Sequence, residues 1–539
     1  MKKKLLALLM ASAMVLGLAA CGNSGSAGGS TGAATGGSSA GSTASTDASA
    51  IDTSEHVVIT YMTTGGKPTN GATEEMLAQL NAILTEKVNA ELEIYYIDWT
   101  NYLSVYNLTL AQMDGSVDLV GTATDWLDAW PNAKNGAFLE LSEDMLKTYA
   151  PKTWASVSPE HWDLCKYNGN IYLMPEDNYA QWTNHGFAYR LDWAKEAGLA
   201  DGVKSWEDLT TYFKWVKANK PDLKAVWDSD GTQYAQMVGG WITSHSNYVS
   251  IDGLNSGAMW GGTKDDLYTI YSPYVTDTDS LVAYAKMMKE WDEIGVWPTD
   301  VLNNTASTNR DDFRVGLVAA EQHHTQTWTD LCSATSSNTM YQDDPNAETG
   351  FFYFGEESKN VVALSITHGA MAISAASKHP ERALMVYDLL RNDEQCYRLL
   401  NYGIQGKQWD MDSNGMRITP ASYNSDTDAI TTNYWWGRND DLEVRSAELN
   451  WPAIDELYKE YDAIKIDYPY GQFIPNVDSI QAKIDNISEI HTNYMKQISF
   501  GKYSGSAEEI VAEYQQALKD AGIDEVTAEL QAQVDALYK

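Results

Sequence analysis

Cysteine is scarce in this chain: Cys21, Cys165, Cys332 and Cys396 are the only four among 539 residues. Their wide spacing excludes a C-x-x-C metal site and a disulfide framework. A chain of this length can build a core without such staples, and the last three read as small buried apolar residues. Basic residues are also few, 37 against 74 acids, for a net charge of −37. That balance excludes a nucleic-acid binder, which needs a basic face, and docking on anionic lipid through a basic patch. The acid excess itself speaks to solubility and names no substrate. Phenylalanine is rare, 9 residues beside 19 Trp and 32 Tyr. Tyr and Trp combine a flat apolar face with a polar edge, a mix suited to sugars as well as to core filling. No G-x-x-x-x-G-K-[ST] loop is present, since Lys67 is followed by Pro68, and neither H-E-x-x-H nor G-x-S-x-G occurs.

What is present begins with Lys2, Lys3 and Lys4 ahead of an apolar run, Leu5 to Ala20, that ends Leu-Ala-Ala-Cys21. A basic start, a short apolar stretch and small residues before a cut describe an export signal. The run is too short, and its Gly/Ser flank unsuitable, for a stable membrane span. The cysteine directly after Ala20 resembles the bacterial lipoprotein signal, in which that thiol is acylated and becomes residue one. Two acyl chains then anchor stably where one is marginal. Residues 22–50 are Gly, Ser, Ala and Thr apart from Asn23 and Asp47. Such a segment behaves as flexible coil, with a reach of roughly 30 Å.

From about residue 54 the sequence is that of a globular protein. Residues 57–62 read as a strand, Met76, Leu77, Leu80, Ile83, Leu84 and Val88 recur at helical spacing, with Thr73 as a cap, and 91–97 return to strand. A strand–helix–strand unit implies a parallel sheet, to which 117–122 adds another strand. Ligands of such sheets sit beyond the carboxyl ends of the strands, which singles out the loops 63–70, 98–102 and 122–128. Helical patterns recur at 206–219, 279–294 and 380–400. Ser506 and Glu509 form a capping box, and Val526, Leu530, Val534 and Leu537 mark a last amphipathic helix.

Several segments together resemble the carbohydrate-binding group of extracellular solute-binding proteins of ABC importers. They are Asn168-Gly-Asn-Ile-Tyr-Leu-Met-Pro175, Ala188-Tyr-Arg-Leu-Asp-Trp193, Ser205-Trp-Glu-Asp-Leu209, Phe313-Arg-Val-Gly-Leu-Val-Ala-Ala320, Ile373 to Ala383, and Tyr402-Gly-Ile-Gln-Gly-Lys407. The last looks like the Y-G-I-E-G-K of a large lipoprotein subgroup that carries an extra C-terminal domain of uncharacterised role. Gln405 stands where that subgroup has an acid, and Asn170 where it has a lysine. The resemblance implies an α/β fold of the two-lobed periplasmic-binding-protein-like type II class, with hinge crossovers near 174–190, 313–328 and 361–375 and an added C-terminal helical region. The expected organisation is a signal peptide at 1–20 and a linker at 21–54. Lobe 1 would comprise 55–178 and 323–365, lobe 2 179–322 and 366–430, and a C-terminal region, 431–539, would pack on the lobes.

The implied activity is capture of an extracellular oligosaccharide between the lobes by a monomer and delivery to separate permease and ATPase chains, from the outer face of the membrane, held there through Cys21. Candidate ligand-binding residues are Thr64 and Thr122 at strand ends, Asp125 with Trp126, Glu176, Trp182 with His185, Trp241, His323, His324 and Trp328, and Trp435, Trp436 and Arg438 in a loop-like aromatic cluster. No cofactor, metal or catalytic residue is expected. His323 and His324 sit side by side, which on a strand turns them to opposite faces and works against a shared ion. Asp410 to Gly415 copies the opening of a calcium loop but lacks the acid at the twelfth position, Ala421, and reads as a hairpin turn. The other readings are a binding protein for a peptide or amino sugar, an adhesin, or a surface glycoside hydrolase. The last would need two carboxylates set across a cleft.

Overall fold

A computed structural model describes residues 51–178, 184–254, 258–304, 308–335 and 337–539. The signal segment, Cys21, nearly all of the linker and Trp182 lie outside the described residues.

The chain first builds a five-stranded sheet. Strands β1 (Val57–Thr64), β2 (Ala90–Ile97) and β3 (Leu119–Thr122) run parallel, as the strand–helix–strand pattern requires. Helix Ala72–Val88 joins the first two; its cap is Gly71 rather than the expected Thr73, whose hydroxyl instead accepts from the Thr431 amide. β4 (Met174–Pro175) closes this part of the chain. The chain then crosses to a second sheet through β5 (His185–Arg190) and builds a helical body around it. Helices Trp206–Asn219, Tyr234–His245 and Thr278–Ile294 and the hairpin β6 (Tyr248–Ser250) and β7 (Gly261–Thr263) belong to that body. β8 (Ala320–His324) and β9 (Thr349–Tyr353) flank β5 on either side, both antiparallel. β10 (Ala370–Ile373) returns to the first sheet, where it lies antiparallel between β3 and β4.

These pairings correct the expected division of the chain. Residues 323–365, assigned to lobe 1, carry β9 and the end of β8 and pair in lobe 2. Residues 366–430, assigned to lobe 2, open with β10, and their helices Pro380–Asn392 and Glu394–Tyr402 pack in the core of lobe 1. The expected crossing at 313–328 therefore stays within lobe 2. The crossings run between β4 and β5, between β9 and β10, and through the stretch from Trp436 to Tyr470, whose two ends belong to different cores. Short apolar strands look alike in either sheet, so sequence does not say which one receives them.

The C-terminal region is also divided. Tyr434 and Trp436 belong to the core of lobe 1. Helices Gln481–Ser499, Ala507–Asp520 and Ile523–Tyr538 share one continuous core with lobe 2. The Ser506–Glu509 capping box forms as expected. Asp410–Met411 and Arg417–Ile418 pair as a hairpin, with Asp412 accepting from the amides of Asn414 and Met416 at 2.8 Å. Among the described residues no helix is long and apolar enough to cross a membrane.

Candidate functional site

The parallel strands bring the carboxyl ends of β1, β2 and β3 to one edge. Trp99 follows β2, Trp126 follows β3, and the excursion 431–436 lies across the strand ends. Asn433 fastens that excursion. Its carbonyl accepts from Tyr61 Oη at 2.8 Å and Thr63 Oγ1 at 3.0 Å, and its amide nitrogen donates to the Thr64 carbonyl at 2.7 Å. Trp436 turns inward and lies against Gly121, where any larger residue would collide with its indole. Trp435 turns outward and is 43% exposed, and Trp99 is 48% exposed. Trp99 lies 6.2 Å from Trp126 with planes 23° apart, and 6.2 Å from Trp435 with planes 26° apart. Tyr102 meets Trp99 edge-on at 5.7 Å. The result is a platform of three indoles: Trp99 and Trp435 are half exposed, and Trp126 is partly buried and stacks on Trp436 at 5.7 Å with planes 27° apart.

Beside it, His368 on the β9–β10 crossing pairs with Asp125 at 2.8 Å. Burial opposes a charged imidazole, but the carboxylates of Asp125, Glu176 and Asp252 outweigh it and carry His368 up to about 9. Burial raises Glu176 to about 7 against the pull of His368 and Arg438. Asp252, from lobe 2, is pushed up to about 8 by burial and by the facing Asp125 carboxylate. These groups are thus within electrostatic reach of one another from lobe 1, a crossing and lobe 2.

Lobe 2 contributes three histidines. β8 ends at His324, opposite His185, so the opposite-face rule for neighbouring strand residues no longer applies there. The rings of His323 and His324 lie 4.2 Å apart, and His185 stands 5.7 and 5.9 Å from them. His324 caps helix Thr325–Leu331 by accepting from the Thr327 amide, and His323 Nδ1 meets Thr327 Oγ1 at 2.9 Å. Burial drives His185 down to about 4, His323 to about 2 and His324 to about 3. At neutral pH all three are uncharged hydrogen-bonding groups. Among the described residues no group of three or more His, Cys, Asp or Glu is arranged to hold a metal ion.

A pocket of about 280 Å³ adjoins His185. Gln236, Ser250, Asp252, Asn360 and Tyr468 give it polar walls, and Met259 and Phe354 give it apolar ones. Asn360 donates its amide to the carbonyls of Ser246 and Tyr248, while its buried Oδ1 has no hydrogen-bond partner.

The expected site residues divide accordingly. Asp125, Trp126 and Trp435 lie at the platform, and Glu176, His185, His323 and His324 lie near it. Thr64 and Thr122 are wholly buried in their strands, and Trp436 is a core residue. Trp241 is buried in lobe 2, donates to Ser280 and packs on His245; Trp328 is buried against Phe351. Arg438 is held by Asp440 at 2.7 Å. Sequence reasoning missed Trp99, Tyr102, His368 and Asp252. The first two fall in the 98–102 loop marked by the strand pattern and His368 falls in a marked crossing, whereas Asp252 carried no signal.

The comparisons identify the family and the fold that carry this site. The family model described as bacterial extracellular solute-binding protein matches residues 78–403, and a domain of unknown function matches 469–539. A carbohydrate ABC transporter substrate-binding protein of Streptococcus pneumoniae is 24% identical over 541 residues, covering 98% of this chain and 96% of that protein. The solved N-glycan transport solute binding protein NgtS of S. pneumoniae superposes with a TM-score of 0.68 at 20% identity, over 89% of this chain and 99% of that one. A human-milk-oligosaccharide (HMO) binding, ABC-transporter associated solute binding protein of Bifidobacterium longum infantis does so with a TM-score of 0.62 at 15% identity, over 90% and 99%. With more than half its length matched by that model, the chain belongs to the bacterial extracellular solute-binding protein family, a family of extracytoplasmic binding proteins with two α/β lobes.

Proposed function

We propose that this protein captures an oligosaccharide between its lobes and hands it to an ABC importer. The observation that carries this reading is the Trp99–Trp126–Trp435 platform, whose flat faces suit the C–H sides of pyranose rings. Across from it, Asp252, Asn360 and the neutral histidines offer donors and acceptors for sugar hydroxyls. The carbohydrate relatives support the same reading. The permease and ATPase are separate chains, and Cys21, directly after the apolar run, supplies the lipid anchor of a monomeric receptor. Closure of the lobes follows from contacts that the sugar makes better in the closed state.

A thermal-shift and calorimetric panel tests this, with Man5GlcNAc, human milk tetrasaccharides, maltotetraose and free amino acids as probes. Saturable binding of at least one oligosaccharide, without release of reducing ends, is the expected result. Binding of none of the sugars overturns the reading, and turnover replaces it with a hydrolase. Cys21→Ser should move the protein from the membrane fraction to the soluble one and abolish fatty-acid labelling.

A further inference from the structure

The C-terminal helices share the core of lobe 2, and side chains of these helices and of the segment that leads into them also reach one particular stretch of backbone. Its described parts are 248–254 and 258–271, which hold the β6–β7 hairpin and Asp252. The Asp252 amide donates to Tyr468 Oη at 2.6 Å. Tyr470 Oη accepts from the Gly262 amide at 2.9 Å and donates to the Leu267 carbonyl at 2.6 Å. Gln531 accepts from the Ile270 amide at 2.7 Å and donates to the Tyr268 carbonyl at 2.8 Å. Thr527 accepts from the Trp260 indole at 2.9 Å, and Tyr538 stacks on Tyr268 at 4.3 Å. Buried backbone donors left without such partners are costly, so these side chains are what the irregular parts of the stretch rest on.

Two further contacts extend the pattern. Ile466 pairs with the β9–β10 crossing, accepting from the Ala363 amide at 2.8 Å and donating to the Val361 carbonyl at 3.1 Å. Helix Tyr234–His245, which lines the pocket with Gln236 and Thr243, is backed by Thr492, whose hydroxyl meets Tyr234 Oη at 3.0 Å. Tyr468 itself lines the pocket.

We propose that the C-terminal region, residues 466–538, builds and positions one wall of the sugar site. In this arrangement Tyr468 faces the sugar and fixes the Asp252 backbone, while Tyr470, Thr527 and Gln531 hold residues 260–270, and with them the β7 partner of the strand that presents Ser250 and Asp252. The domain of unknown function, 469–539, with the few residues before it is thereby a selectivity element of the receptor. This rests on the oligosaccharide reading above, and it adds that binding is set in part by residues that never touch the sugar.

The test uses the full chain with three substitutions. Tyr468→Phe keeps the ring and removes the acceptor, Gln531→Leu acts from outside the pocket, and Glu508→Ala removes an exposed ion pair with Lys286 as a control. Hydrogen exchange by mass spectrometry is followed over 248–254 and 264–271, and calorimetry uses the tightest glycan of the panel. Tyr468→Phe should speed exchange of the first peptide, and Gln531→Leu that of the second, each by about tenfold. Both should weaken glycan affinity several-fold while the melting temperature stays within about 2 °C, a separation that general destabilisation would not give. Glu508→Ala should change neither. Unchanged exchange in both variants overturns the proposal, as does faster exchange with glycan affinity intact, or an equal loss in Glu508→Ala. If the parent binds no glycan of the panel, the oligosaccharide reading fails instead, and the holding of 248–254 and 264–271 is decided by exchange alone.

Discussion

The two lobes differ in how they use tryptophan: both bury some, Trp162 and Trp436 in lobe 1 among them, but lobe 1 also leaves two half exposed. In lobe 2, Trp206, Trp227, Trp260 and Trp291 are fully buried. Three of them give the indole N–H to a hydroxyl: Trp206 to Ser244 at 2.7 Å, Trp291 to Thr210 at 2.7 Å and Trp260 to Thr527 at 2.9 Å. In lobe 1, Trp99 and Trp435 hold their faces open at the edge where three parallel strands end. A soluble protein gains nothing from grouped bare indoles unless something covers them. The described tryptophans therefore include two populations, one that fills the cores of both lobes and one, Trp99 and Trp435, left half exposed at the edge where we propose the sugar binds.

The largest break in that comparison is Trp206→Ala. Trp206 stacks on Trp291 and Phe354 and meets Trp241 edge-on. Emptying that space should cost about 3–5 kcal/mol, read as a lower urea midpoint. A loss no larger than that of a surface substitution would mean that lobe 2 does not depend on its indoles.

Histidine sharpens the same contrast through pH. His368, beside lobe 1, is raised to about 9, whereas His185, His323 and His324 in lobe 2 are lowered. A raised imidazole stabilises the fold fully below its unfolded value near 6.5 and loses that contribution as pH rises towards 9. Glu176 and Asp252, also raised, lose theirs over the range up to about 7 and 8. The lowered histidines act in the other direction: they favour folding above 6.5 and penalise it as pH falls towards 4. Stability should therefore peak near neutrality. His368→Gln should remove on the order of 3 kcal/mol of the fall between pH 6.5 and 9, measured by urea titration at several pH values. An unchanged alkaline limb would show that the Asp125–His368 pair does not couple to folding.

The platform prediction is intermediate in size. Trp99→Ala and Trp435→Ala should each weaken binding of the tightest panel glycan by roughly 2 kcal/mol, or about 30-fold. Melting temperature should barely move, because both rings are already half in solvent. If either variant melts like Trp206→Ala, the platform is core and the comparison fails.

How much of this was legible in the sequence follows from what kind of signal each part carries. β1, helix Ala72–Val88 and β2 announce themselves by local periodicity, and parallel pairing follows from it, so the platform edge was predictable. The strand pattern marks the loop after β2 but does not single out Trp99 within it. Asp252 and Tyr468, 216 residues apart, meet only because the C-terminal helices share the core of lobe 2, and no local pattern encodes that meeting. The same blindness exchanged 323–365 with 366–430 between the lobes. β9 and β10 are short apolar strands and β8, Ala-Glu-Gln-His-His, is a short polar one, and the sheet each joins is chosen by long-range packing.

The finest contrast lies within four residues. Trp435, Trp436 and Arg438 read as one cluster in the sequence, yet Trp435 joins the platform, Trp436 is sealed against Gly121, and Arg438 turns to Asp440. The Arg438–Asp440 pair is partly exposed, with side-chain accessibilities of 38% and 60%, and such pairs contribute about 0–1 kcal/mol. Arg438→Gln should accordingly alter melting temperature by no more than about 2 °C and glycan affinity by less than about threefold. Its one directional effect should be electrostatic. Arg438 opposes the rise of the buried Glu176 carboxyl, so removing its charge should move the Glu176 titration to still higher pH. Calorimetry across pH 6–8 checks both parts. A loss of affinity as large as that of Trp435→Ala would return Arg438 to the sugar site and erase the distinction drawn between these neighbours.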